Sequence, residues 1–330
     1  MKWLAGALLL CAVAVAGWGY HAFEAYRHAA LLANGASMRI SVETGTGIRQ
    51  LARQLHGKGL IDHPRVFAWL ARLDGKAGQL RAGVYEVRAG MTAGDLLAAI
   101  ARGDAVQEQI RFIEGWTFRQ IRAALDAHPG IRHDTKDLPE SALLERVGAI
   151  EKRAEGLFFP DSYHFAPGTS DVVLLRQAYA RMRKLLEAAW AKRAPASPVE
   201  SPYDALILAS VIEKETGRSE DRPLIGAVFA NRLRIGMRLQ SDPTVIYGMG
   251  ARFDGNLRRV DLETDSPYNT YTRAGLPPTP IAAPGAASLN AALAPADSRA
   301  LYFVARGDGT SEFSTNLDDH NRAVARFQKR

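Results

Sequence analysis

Two glutamates, Glu213 and Glu215, stand two residues apart in the segment Tyr203 to Gly217, which is otherwise rich in aliphatic side chains. The apolar spacing predicts a helix over this segment, closed by Gly217. At about 100° per residue, Leu208, Val211 and Ile212 share one face with Glu215, while Glu213 points to nearly the opposite side. A carboxyl group set in an apolar stripe loses hydration, so its acid form is favoured. An acid that keeps its proton near neutral pH is what cleavage of a glycosidic bond requires. Equally open from this segment is a Glu215 that only closes the helix end or pairs with an arginine.

Two further stretches carry polar groups suited to a sugar. Gln240-Ser241-Asp242 precedes Pro243. Asp242 or Ser241 is placed to cap a helix starting near Pro243, and Gln240 to reach into a cleft; the two roles are compatible. Tyr268-Asn269-Thr270-Tyr271 mixes rings with amides and hydroxyls, and such groups stack on pyranose faces and bind their hydroxyls. Leu276 to Ile281, with three prolines, is extended. A short helix is expected over 288–294, a hairpin over 301–314 turning at Gly307-Asp308-Gly309, and a last helix opened near Asn316.

Other chemistries lack their residues. There is no glycine-rich phosphate loop and no Gly-x-Ser-x-Gly elbow. The eight histidines do not group at zinc spacing, and His320 with Asp318 and Asp319 suits a solvated helix start. No metal or cofactor is expected. Cys11 is the sole cysteine, so no intrachain disulfide can form.

The elements that must position these residues begin with a unit repeated three times. Ile40 to Gly45, Tyr85 to Gly90 and Ile110 to Gly115 each read as a short strand ending in a glycine turn. A helix follows each at identical offsets, with apolar anchors Leu51 and Leu55, Leu96 and Ile100, and Ile121 and Leu125. Asp62-His63-Pro64 starts a further helix bearing Val66, Phe67, Leu70 and Leu73. The order from Ile40 to Ile100 is therefore strand, helix, helix, strand, helix. It resembles a LysM-like module, a fold that grips N-acetylglucosamine polymers; a plain spacer role is the alternative. The aromatic Glu155 to Phe165 stretch reads as ordered, and as core before sugar platform. A long amphipathic helix is expected over 171–193, with Val173, Leu174, Ala178 and Met182 on one side. The proline-rich 194–202 stretch reads as a connector.

The chain has 330 residues, 47% of them hydrophobic and 23% charged, with a formal charge of +7. That moderate basic excess suits an acidic polymer or an anionic membrane surface. No basic cluster interleaved with aromatics points to nucleic acid. Trp3 to Tyr20 is an uncharged, largely apolar run near the lower length limit of a membrane span, preceded by Lys2 and edged by Trp18 and Tyr20. It is expected to be a retained single-pass anchor with the N-terminus inside, a cleaved signal peptide being the alternative.

Taken together, Ala209 to Thr216, Asn231 to Gly248, Tyr268 to Tyr271, Gly275 to Pro278, Asn316 to Asn321 and Glu155 to Asp161 closely resemble the YceG-like family of endolytic murein transglycosylases. The resemblance runs from the anchor to the C-terminus, departing at Ser241, where threonine is usual. It implies an α+β protein with an N-terminal membrane helix (1–22), a LysM-like α+β module (38–108), a connecting α+β region (109–202) and a mixed α+β lytic transglycosylase domain (203–330). It implies an inner-membrane protein whose catalytic domain lies outside the cytoplasm, acts on peptidoglycan glycan strands beside their polymerases and limits strand length. Glu215 corresponds to the catalytic acid, and Gln240, Asn269, Tyr271 and Asn316 fall in motifs expected to bind substrate. Such an enzyme cuts the MurNAc–GlcNAc β-1,4 bond without water and leaves 1,6-anhydro ends. A muramidase, with Asp242 or Glu213 as second carboxylate, and a non-catalytic glycan-binding scaffold are the rival readings.

Overall fold

The computed structural model describes residues 2–32, 35–195 and 197–328, and the side chains of residues 2–9 lie outside the described set. The chain forms two compact units, Met1–Glu108 with His164–Pro167, and Gln109–Tyr163 with Gly168–Arg330.

The first unit contains α1 (Lys2–His28), β1 (Ser37–Val42), α2 (Ile48–Gly57), α3 (Pro64–Leu73), β2 (Gly83–Arg88) and α4 (Ala93–Arg102). β1 and β2 pair antiparallel with Ile40 opposite Tyr85. Alternation sends Ile40, Val42, Tyr85 and Val87 inward, where they meet Leu51, Leu55, Phe67, Leu70, Leu96 and Ile100. The turn glycines Gly45 and Gly90 have φ of 82° and 79°, a region costly for any side chain. Thr92 then opens α4 with a reciprocal capping box to Asp95. Of the expected 1–22 span, residues 2–22 fall within α1, and Met1 and the side chains of residues 2–9 lie outside the described residues. Among the described residues, no helix is long and apolar enough to cross a membrane.

β3 (Glu108–Arg111) and β5 (Ser162–Phe165) lie at the divisions of the chain, and the second unit runs through α5 (Phe118–Ala127), β4 (Ile131–Arg132), α6 (Glu140–Val147), β6 (Thr169–Ser170), α7 (Asp171–Ala191) and α8 (Pro202–Glu215). It continues with α9 (Arg222–Arg234), α10 (Asp242–Met249), α11 (Arg259–Glu263), α12 (Ala286–Leu293), β7 (Tyr302–Ala305), β8 (Ser311–Ser314) and α13 (Leu317–Phe327). The third glycine turn, Gly115 at φ 77°, leads into α5, whose Ile121 and Leu125 are buried. In α7, Leu174, Ala178 and Met182 are buried, but Val173 is exposed and Leu175 and Tyr179 take its place inside.

α8 is the centre of this unit. Ser201 caps it by accepting from the Asp204 N–H, and Pro202 supplies a preset first turn. Every residue from Ala205 to Glu213 is buried, because α7, α9 and α12 pack around it. The proline-rich segment before α8 is tied to the same unit at two points. The Ala194 N–H donates to the Leu293 carbonyl at 2.9 Å, and Val199 is buried.

α9 and α12 meet at Gly226, where a Cβ would lie 2.4 Å from the Ala291 carbonyl oxygen. Alanine ordinarily gains about 1 kcal/mol over glycine in a helix, whereas overpacking costs roughly 1–3 kcal/mol. Gly226→Ala is expected to lose up to about 2 kcal/mol in urea unfolding; a gain in stability would show that the two backbones separate freely.

Candidate active site

Glu215 is the last residue of α8, which ends there rather than at Gly217. Thr216 is extended (φ −146°, ψ 140°), and its hydroxyl accepts from the Arg218 N–H at 3.0 Å, so the chain leaves the helix before the glycine. The half-buried Glu215 carboxyl accepts a short hydrogen bond from the Ser241 hydroxyl. Burial pushes its pKa up to about 7; the Ser241 hydrogen bond opposes this, nearby Asp242 adds to it, and Arg232 opposes it again.

Ser241 stands at the N-cap of α10 yet gives its side chain no role there. Its hydroxyl is turned to Glu215 instead. The backbone around it is fixed from below. The Ser241 N–H donates to the Thr270 hydroxyl (2.9 Å), and the Thr244 hydroxyl donates to the Ser241 carbonyl (2.7 Å). Gln240 is the one non-glycine residue at positive φ (50°) among the described residues, and its N–H donates to the Thr270 carbonyl at 3.1 Å. A left-handed conformation at such a residue costs on the order of 1–3 kcal/mol and persists only where the surroundings impose it. The Gln240 side chain is exposed.

Asp242 accepts from the Tyr271 hydroxyl at 2.5 Å. Burial, and then Asp242 itself, raise the Tyr271 phenol further above its ordinary value. Arg232 is buried, donates to the Leu301 carbonyl (2.7 Å) and the Leu239 carbonyl (2.6 Å), and lies over the Tyr302 ring. Burial lowers its pKa, while Tyr302, Tyr271 and Glu215 hold the proton on. Tyr302 stacks on His320 of α13. Asn316 is the exposed cap of that helix and accepts from the Asp319 N–H at 2.9 Å. Glu215, Gln240, Ser241, Asp242 and Tyr271 are thus brought together, and Asn316 has a local role at a helix end.

Glu213 has a different environment. It is buried, pairs with Arg222 (2.9 Å), and accepts from the Gly285 N–H (2.9 Å) and the Ser288 hydroxyl (2.8 Å). The face opposite Glu215 is therefore not solvent but the start of α12. Asn269, expected at the substrate, is also turned inward. It is 1% exposed; its amide donates to the carbonyls of Thr264 (2.7 Å), Leu262 (3.0 Å) and Asp261 (3.3 Å), and its oxygen accepts from the Tyr271 N–H (2.8 Å). Within the 268–271 stretch Asn269 shapes its own loop, whereas the hydroxyls of Thr270 and Tyr271 reach the 241–244 turn.

Residue type alone marked neither the Ser241 hydroxyl nor Arg232 as neighbours of the acid. Ser241 read as a helix cap, and nothing short of the fold shows a cap hydroxyl diverted 26 residues back along the chain. Among the described residues no group of three or more His, Cys, Asp or Glu side chains could hold a metal ion.

Replacing Asn269 by Ala strands three carbonyls and one N–H, so a stability loss of about 2–4 kcal/mol is expected in urea unfolding. Unchanged stability with weakened glycan binding would make it a substrate ligand instead. A pH effect follows from two carboxyl groups. Glu155, buried beneath the Phe118 N–H (2.9 Å) and the Tyr247 hydroxyl (3.1 Å), is also pushed up to about 7, chiefly by burial. Both pKa values lie above the ordinary 4.5, so between about pH 4.5 and 7 the folded chain holds protons that the unfolded chain has released. Stability should therefore fall as pH rises through that window, by on the order of 1–3 kcal/mol per group, less at the more exposed Glu215. The double variant Glu155→Gln/Glu215→Gln should show a flatter pH profile of unfolding free energy; an unchanged slope would contradict both raised values.

The sequence model of the YceG-like family matches residues 40–326. The chain is 31% identical over 309 residues to the endolytic murein transglycosylase of Bacillus subtilis, a match spanning 88% of this chain and 85% of that protein. It is 29% identical over 327 residues to the endolytic murein transglycosylase of Streptococcus pneumoniae, spanning 87% of this chain and 57% of that protein. A crystal structure of a YceG-like protein from Listeria monocytogenes matches with a TM-score of 0.53 at 29% identity, over 88% of this chain and 99% of that one.

Proposed function

The chain belongs to the YceG-like family, and on that premise we propose that it is a lyase, an endolytic lytic transglycosylase of peptidoglycan. The observation that carries the reading is Glu215, a half-buried acid pushed up to about 7 in a cluster of sugar-compatible groups.

The bond cut is the β-1,4 linkage from N-acetylmuramic acid to N-acetylglucosamine. Glu215, as the acid, protonates the leaving oxygen. Its carboxylate then takes the proton from the muramic C6 hydroxyl as that oxygen closes on the anomeric carbon. The ring product is 1,6-anhydro, and no water enters. One glutamate serves both steps because the form left by the first is the form needed by the second. The Ser241 hydroxyl, already bonded to Glu215, steadies the carboxylate after the first transfer. Exposed Gln240 is the group that orients the substrate acetamide, since Asn269 has no free capacity.

Hydrolysis is the second reading, and one observation favours it: Asp242, beside Glu215, is a carboxyl group that could activate water. Its engagement by the Tyr271 hydroxyl weighs against a base role. Glu213 is unsuited, being spent on Arg222, Gly285 and Ser288.

The reading extends to the rest of the chain. Residues 1–22 anchor the protein in the inner membrane with the catalytic unit outside the cytoplasm, which the uncharged run from Trp3 to Tyr20 supports. The strand, helix, helix, strand, helix order of the first unit supports a LysM-like hold on the glycan. Cutting within strands as polymerases extend them would limit their length.

Digestion of uncrosslinked glycan, followed by mass spectrometry, is expected to show ends lighter by one water than hydrolysis gives. Glu215→Gln should abolish cleavage and leave glycan binding intact. Hydrated ends would favour the muramidase reading, and binding without turnover by the unaltered protein would favour a scaffold.

A further inference from the structure

A concavity of about 860 Å³ opens in the second unit, between α5, the 136–140 loop and Tyr247 of α10. Arg119, Lys136 and Arg153 line it, and none of the three side chains has a hydrogen bond or ion pair among the described residues. Asp126, Asp137 and Glu140 line the same space, Glu140 accepting from the Ala154 N–H at 2.6 Å. A glycan stripped of its peptides offers only one lactyl carboxylate per muramic residue, too few for three cations, and no ammonium for the carboxylates beside them. A ligand with both carboxylates and an ammonium suits the set.

The wall of this space is built, not incidental. Glu155 is 8% exposed and holds the start of α5 to α10, accepting from the Phe118 N–H and the Tyr247 hydroxyl. Tyr247 packs edge-on against Tyr268, whose hydroxyl pairs with Thr279 at 2.9 Å. The Arg122 guanidinium ties the 136–140 loop in place through the carbonyls of Thr135 (2.9 Å), Lys136 (2.8 Å) and Leu138 (3.3 Å). The three unengaged cations are therefore displayed on a fixed frame.

α10 links this space to the acid. Its first residue, Asp242, adjoins Glu215, and Tyr247 lies five residues on, about 7.5 Å along the axis at 1.5 Å per residue. That separation is the reach of a side branch, not of the next bond in the chain. Peptidoglycan carries such a branch: a short peptide hung from the lactyl group of muramic acid, bearing carboxylates and often a free amine.

We propose that the cavity bounded by α5, the 136–140 loop and Tyr247 binds the peptide branch of the muramic residue next to the cut bond, with Arg119, Lys136 and Arg153 taking its carboxylates. This rests on the lytic transglycosylase reading. It makes the enzyme select peptide-bearing glycan over bare glycan.

The test uses the full-length protein, the Arg119→Glu/Arg153→Glu double variant, and a charge-keeping Arg119→Lys/Arg153→Lys control. Each is given uncrosslinked glycan with its peptides and the same glycan after amidase has removed them. The unaltered protein should cut peptide-bearing glycan about tenfold more efficiently in kcat/KM, the scale of one or two charge-assisted contacts. The Glu variant should lose that preference through KM while cutting bare glycan as before, and the Lys control should retain most of it. If the Glu variant keeps the preference, or if the unaltered protein shows none, the proposal falls and the activity stands. Equal loss on both glycans also overturns it, since the arginines would then serve the fold or the glycan itself. If the unaltered protein cuts neither glycan, the activity reading falls and takes this proposal with it.

Discussion

A carboxyl group that loses water without gaining a full ion pair keeps its proton, and Glu215 is held in that condition. Arg232 is close enough to stabilise the charged form, but its Nε and one Nη are committed to the carbonyls of Leu301 and Leu239. The contact actually made is with a neutral hydroxyl, that of Ser241. A hydroxyl can donate to a carboxylate or accept from a carboxylic acid, so it serves both protonation states. A guanidinium in the same place would lock the group ionised. The neighbouring Asp242 pushes the same way as burial.

The remaining second unit is arranged so that this acid has one position. Glu213, two residues earlier on α8, is buried and ties the helix end to the start of α12 through the Gly285 N–H and the Ser288 hydroxyl. The paired glutamates thus divide their tasks: one is saturated with partners and fixes the backbone, the other is nearly free. On the opposite wall, the threonines Thr244 and Thr270 hold the turn that delivers Ser241. The positive φ of Gln240 shows that the turn is imposed by those bonds, not chosen by the residue.

Much of this frame is legible from spacing. The glycine turns at 45, 90 and 115, the buried anchors of the helices that follow, and the presence of α8, though not its end at Glu215, all rest on local rules of turn chemistry and periodicity. The position of Glu215 on one face of α8 follows from the same periodicity. What sequence could not supply is long-range. Asn269 reads as a sugar-binding amide, yet three carbonyls from residues 261–264 capture it. Ser241 reads as a cap, yet its hydroxyl goes to a residue on another helix. The link between Glu155 and Tyr247 spans 92 positions and makes a buried acid of what reads as an aromatic core segment. The proline-rich 194–202 stretch reads as a connector because composition reports flexibility, whereas its docking through Ala194 depends on α12, nearly a hundred residues away.

The central claim is that Glu215 enters the reaction as an acid near neutral pH. A carbon-13 NMR titration of its carboxyl carbon, assigned by comparison with Glu215→Gln, reads this without any substrate. The account predicts a midpoint near 7. A midpoint near the ordinary 4.5 would contradict it, leaving an ionised carboxylate with no proton to give to a leaving oxygen.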